Sequence, residues 1–201
     1  MFTATLDTCT LWPSIQRDFL LSLAVEGLYT PRWSELTLEE LRLCEIEKAG
    51  ASGSQGSEAE RKASRLILNL REAFPDATVS TEGTVPPAEL PDPDDWHVLA
   101  ASGIGASSII VTSNLRDFPE YCLPDGVEKA IPPAEFAADT VALSPTRAYH
   151  ALHAVHTRRR NPPLTIGSYI DILEDRYAFH EAAELLRREH TKMTSSPGYP
   201  P

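Results

Sequence analysis

Cysteine is scarce. Cys9, Cys44 and Cys122 are odd in number and widely spaced, and no CxxC pair occurs. That excludes a disulfide framework and fits reduced thiols in a cytoplasm. Positive charge is also short, with 18 Lys+Arg against 29 Asp+Glu and a formal net charge of −11. Such a balance excludes recognition of nucleic acid through a broad basic face and suits a basic partner. No apolar run approaches the roughly 20 residues a membrane span needs. The N-terminus lacks the charged and apolar pattern of a signal peptide. The expectation is therefore a cytoplasmic protein with no membrane partner.

An ordinary globular composition remains, 42% hydrophobic and 23% charged over 201 residues. This length fits one domain with an extension, or two small domains. No internal repeat is found. Residues 2–6 read as a short β-branched strand ending at Asp7, and residues 11–27 as a helix. Residues 30–34 read as a strand end and turn, and 35–49 as a second helix. A flexible loop over 50–57 leads to a third helix, which Ser57 and Glu60 open at capping-box spacing. A short strand over 76–80 precedes a proline-rich connection over 86–93.

Asp92 is the expected cap of a fourth helix over 93–102, because Pro93 suits its first position. The run Ser107–Thr112 reads as a parallel strand buried on both faces, and 127–131 as another. Strands alternating with helices indicate an α/β domain over 1–135. Helices alone follow, over 145–159, 165–174 and 177–189, and a polar tail over 191–201 is expected to be disordered.

Three carboxylates fall within four positions at Asp92, Asp94 and Asp95, at the start of the helix expected over 93–102. Like charges this close repel unless a cation sits among them. Asp92 suits the cap. Asp95 shares the face of Val98 and Leu99 and is assigned to a site, while Asp94 is undecided between the two roles. Ligands of open parallel sheets bind beyond the carboxyl ends of the strands. Asp7 falls at such an end, as do Thr112, Asn114 and Asp117 after the buried strand. Turn and cap roles compete for each of these. Glu40 shares a helical stripe with Leu36, Leu43 and Cys44, where a carboxylate is costly unless paired or bound to metal. Oxygen donors of this kind suit Mg²⁺ or Mn²⁺, which activate water and neutralise charge on a phosphodiester during in-line attack.

The order LDTC, LTLEEL, DPDDWHVLAA, IIVTSNLRDF resembles a PIN domain, and within that family the VapC-type ribonuclease toxins of toxin–antitoxin pairs. The likeness covers residues 1–135, and the helices over 136–190 resemble an extension found in one branch. The resemblance implies a three-layer α/β/α fold with a central parallel sheet plus a helical C-terminal extension. It also implies endonucleolytic RNA cleavage, Mg²⁺ or Mn²⁺, a cognate antitoxin and a homodimer. Asp7, Glu40 (three residues past Thr37) and Asp95 fall on the family's acidic positions, and Thr112 on a hydroxyl that orients metal-bound water. The fourth position, often Asp, is Asn114, so either Asp117 substitutes or a second metal is held weakly.

The remaining features carry less. Arg158, Arg159 and Arg160 form the basic run of the chain and, with Arg32 and Arg116, are the candidates for RNA backbone contact. His150, His153 and His156 recur every three residues, a spacing that drifts around a helix rather than converging on zinc. Cys9 has no general base beside it and reads as a small packed residue. Two other functions compete with a nuclease. A haloacid-dehalogenase-type phosphatase would need Asp where Cys9 stands. A non-catalytic binding module that keeps the fold draws support from Asn114.

Overall fold

The structure is a computed structural model, described here over residues 2–53, 56–85, 90–158 and 164–195. The elements run β1 (Thr3–Leu6), α1 (Thr8–Leu11), α2 (Ser14–Val25), β2 (Thr30–Ser34), α3 (Glu35–Ala51), α4 (Gly56–Ala73) and β3 (Thr78–Val79). They continue α5 (Trp96–Ile104), β4 (Ile109–Val111), β5 (Lys129–Ile131), α6 (Pro133–Leu143), α7 (Pro145–Arg158), α8 (Ile166–Tyr177) and α9 (His180–Ser195). Two compact units result: Phe2–Pro13 with Thr30–Ile131, and Ser14–Tyr29 with the chain from Pro132 onward. The expected α/β class with helices beyond it is what the chain adopts.

The first unit is built on a five-stranded sheet of order β3-β2-β1-β4-β5, with every pair parallel. Strand order reverses between β1 and β4, where such sheets open a crevice at their carboxyl edge. Residues 30–34, expected as a strand end and turn, form a full strand. Pro31 is tolerated because β3 reaches only Trp33 and Ser34, leaving the proline beyond its short neighbour. α5 packs against β1 and β2, and α3 against β2 and α4. Val98, Leu99, Ile110, Phe118 and Val127 form one core cluster. Trp33 is fully buried, stands edge-on to Phe74 at 5.8 Å and donates its indole N–H to Thr78 Oγ1.

The second unit is helical. The helix expected over 11–27 is α2, which starts only at Ser14, just past Pro13, while the short α1 ends at Leu11 in the sheet unit. α2 ends where Gly27 takes φ +68° and Leu28 N–H reaches back to the Leu23 carbonyl, a stop that favours glycine. α6 is an addition to the three expected helices. Pro133 opens it, and Phe136, Ala137, Thr140 and Val141 form its buried face. Tyr29 is buried edge-on to Phe136 at 4.8 Å, and its hydroxyl donates to the Leu20 carbonyl. α9 runs to Ser195, so the tail begins later than 191. The residues expected there beyond 195, the connection at 86–89, and Arg159 and Arg160 lie outside the described residues. Among the described residues no helix is long and apolar enough to cross a membrane.

Candidate active site

Asp7 directly follows β1, and Thr112 directly follows β4, so the strand-order reversal sets them side by side. Thr112 is fully buried and donates its hydroxyl to Asp7 Oδ2 at 2.7 Å. The Thr8 N–H donates to Oδ1, so Asp7 also caps α1. The cap role weighed for Asp7 is therefore met by Oδ1, while Oδ2 is held separately by Thr112. Asp7 itself is only 5% exposed. Cys9 completes its shell, with Sγ 3.0 Å from Oδ2. Burial, then the Asp7 charge and hydrogen bond, push the Cys9 thiol up to about 11. A thiol so held is no nucleophile near neutral pH.

Asp95 is half-buried at the start of α5. Burial first, then the charges of Asp7, Asp92 and Asp117, raise its carboxyl from 3.8 to about 7. Those three acids therefore lie within electrostatic reach of Asp95. Asp117 is buried and has Arg116 Nε 3.6 Å away, whereas the Asn114 side chain is exposed. Asn114 contributes through its backbone, donating to Thr112 Oγ1 and accepting from the Asp117 N–H. Asp92, expected to cap the helix, caps the 3₁₀ turn Pro93–Asp95 just ahead of α5, its side chain accepting from the Asp94 N–H. Asp94 is exposed and takes no part in raising Asp95.

Glu40 joins the crevice from α3, but not for the reason its stripe suggests. Leu36 and Leu43 are 41% and 47% exposed, and the buried face of α3 is Thr37, Leu38 and Leu41. Glu40 is held by polar partners instead. Thr8 Oγ1 donates to Oε2 at 2.5 Å, and His97 Nε2 lies 3.1 Å from Oε1. Burial works to raise the Glu40 carboxyl, yet the hydrogen bonds from His97 and Thr8 outweigh it, leaving it below its ordinary value. His97 is the residue that sequence reasoning passed over. A lone histidine between apolar positions signals core packing, and nothing local marks its partners.

The arginines divide. Arg116 is exposed beside Asp117 and remains at the crevice. Arg32 donates to the Asp76 carbonyl, ahead of β3, at the opposite end of the strands from Asp7. Arg158 belongs to the helical unit and donates to Ser22 Oγ. On α7, the His153 and His156 rings lie 6.1 Å apart.

Hard oxygen donors dominate the crevice, and their mutual repulsion is what a divalent cation would relieve, so the donor chemistry fits Mg²⁺ or Mn²⁺. Among the described residues, no three His, Cys, Asp or Glu side chains already stand together around one point. Fold and site together define an α/β protein with a cluster of acids at the carboxyl edge of a parallel sheet, at its switch point. Residues 133–188, from the first residue of α6 into α9, match the family model of the VapC50 C-terminal domain. That match lies in the helical unit and does not extend to the acidic crevice. No curated protein and no solved structure matches the chain.

Proposed function

We propose that the protein is a metal-dependent endoribonuclease, the toxin of a toxin–antitoxin pair. The observation that carries the reading is the gathering of acids around half-buried Asp95, with Asp7 after β1, Asp92 ahead of α5 and Asp117 after β4 all acting on its carboxyl. Its companion is the VapC50-type match of the helices. Asp7, Asp95 and Glu40 would hold Mg²⁺ or Mn²⁺, with Asp117 as the fourth acid. The ion would supply an activated water and neutralise phosphate charge. Thr112 fixes the Asp7 carboxylate, Thr8 ties Asp7 to Glu40, and Arg116 offers a cation at the rim. A basic antitoxin segment suits the net charge of −11.

The test is cleavage of single-stranded RNA by the purified protein with Mn²⁺, compared with Asp7→Asn and Asp95→Asn. Unchanged cutting by both variants would sink the nuclease reading. Growth arrest on expression, relieved by Asp7→Ala, tests the toxin reading separately. An exposed, uncharged Asn114 favours a second reading, a binding module that keeps the fold without catalysis. Calorimetry that detects no Mn²⁺ binding decides for that module.

A further inference from the structure

His97 lies on α5 two residues past Asp95, is 2% exposed, and has a partner at each ring nitrogen. Ser34 is fully buried and caps α3, its Oγ accepting from the Thr37 N–H at 2.9 Å. Its one hydroxyl proton is left to donate, and the nearest acceptor is His97 Nδ1 at 2.7 Å, closer than Thr37 Oγ1 at 3.0 Å. A contact of 3.5 Å from Thr37 Oγ1 to Nδ1 carries little weight. A ring whose Nδ1 accepts keeps its proton on Nε2, and that proton meets Glu40 Oε1 at 3.1 Å. The opposite tautomer would set a nitrogen lone pair against the carboxylate.

Glu40 depends on such a hold. Its side chain is 43% exposed on a helix face open to solvent, and three rotatable bonds would otherwise spread it over several rotamers. Thr8 secures the other oxygen, and the Thr8 N–H also holds Asp7. A run of hydrogen bonds thus passes from the α3 cap through Ser34, His97, Glu40 and Thr8 to Asp7. We propose that His97 is a positioning residue: its Nε2–H fixes the Glu40 carboxylate against Thr8, and Ser34 sets the tautomer that makes this possible. The inference rests on the reading of Glu40 as a metal ligand. Partners that orient metal-binding side chains commonly govern affinity by about 10–100-fold when removed.

The experiment measures Mn²⁺ affinity of the full chain by calorimetry, with metal-free melting recorded alongside. The variants are His97→Asn, His97→Gln and Glu40→Gln. A glutamine amide reaches where Nε2 stands and can still donate to Glu40, whereas an asparagine amide reaches only the Nδ1 position. His97→Asn is expected to weaken Mn²⁺ binding by about 10–100-fold, with His97→Gln restoring most of it. Equal loss in both variants, in step with their melting, makes His97 merely structural and overturns the proposal, as does no loss in either. Glu40→Gln at unaltered affinity shows instead that the reading of Glu40 as a ligand has failed, and the inference falls with it. Histidine ¹⁵N spectra of the unaltered protein give a readout independent of folding. A proton on Nε2 supports the proposal, and the Nδ1–H tautomer overturns it.

Discussion

Both units pair surface acids with cations, but they differ where carboxylates are withdrawn from solvent. In the helical unit, acids meet cations. Arg187 reaches both Asp171 and Glu174, and buried Glu189 has Lys192 on one oxygen and Thr146 on the other. In the sheet unit, burial and then the charges of Asp7, Asp92 and Asp117 raise the Asp95 carboxyl to about 7. A fold tolerates such conflict where function requires it and recovers the cost elsewhere. The segment matching a known family belongs to the helical unit, and the crevice residues fall outside that segment. Family likeness and chemical capacity therefore rest on different parts of this chain, and each can be broken without the other.

The largest effect is expected at Asp7. Asp7→Asn keeps an oxygen for the Thr8 N–H but removes the charge, and single-turnover RNA cleavage should fall by about a thousandfold. Melting should change little by comparison. Phe136→Ala probes the other unit. Phe136 is fully buried against Tyr29, so denaturant unfolding should show a loss of about 3–5 kcal/mol. Cleavage per folded molecule should stay within error. A variant of either kind that moves both readouts together would erase the distinction between the units.

Much of this distinction was legible in the sequence, unevenly. The strands at 3–6 and 109–111 show as β-branched and apolar runs, and Asp92–Pro93 marks the 3₁₀ turn Pro93–Asp95 that leads into α5 by ordinary capping chemistry. Pro13 carries the signal that sets the start of α2 at Ser14, past the end of α1 at Leu11. α6 hides between Pro132 and Pro145, where prolines suggest a connection although Pro133 opens a helix. Within the crevice, Asp7 and Asp95 stand out because carboxylates beside apolar runs demand an explanation. Glu40 is reached from a stripe that proves to be exposed, so its placement follows from hydrogen bonds the sequence does not display. His97 has its partners 57 and 63 positions away, and no local spacing encodes such a contact.

A smaller effect separates the thiols. Cys9 is raised from 9.0 to about 11 by burial and by Asp7, so its thiolate fraction near pH 8 falls by about a hundredfold. Iodoacetamide labelling followed by peptide mapping should leave Cys9 correspondingly slow. Asp7→Asn removes the second and third of the causes and should restore part of the rate. Fast labelling of Cys9 in the unaltered chain would mean that Asp7 does not bear on it as the geometry requires.

The smallest effect carries the sharpest sign. Asp95 titrates at about 7 in the fold against an ordinary 3.8, so folding favours its protonated form. That contribution is fully present below pH 3.8 and is lost as pH rises through about 7, where the unfolded chain releases the proton more readily. In chelator, the protein should therefore lose stability across that window through this group. Asp95→Asn, which has no proton to lose, should be the more stable chain at pH 8 and lose the advantage near pH 4. Asp95 is half-exposed, and screening by water reduces the gain to about 1–2 kcal/mol. Saturating Mn²⁺ should stabilise the unaltered chain more than the variant, because binding the folded state adds to its stability. A variant no more stable than the unaltered protein in chelator would show that the crevice acids do not burden the sheet unit, and the contrast with the well-paired helices would lose its physical basis.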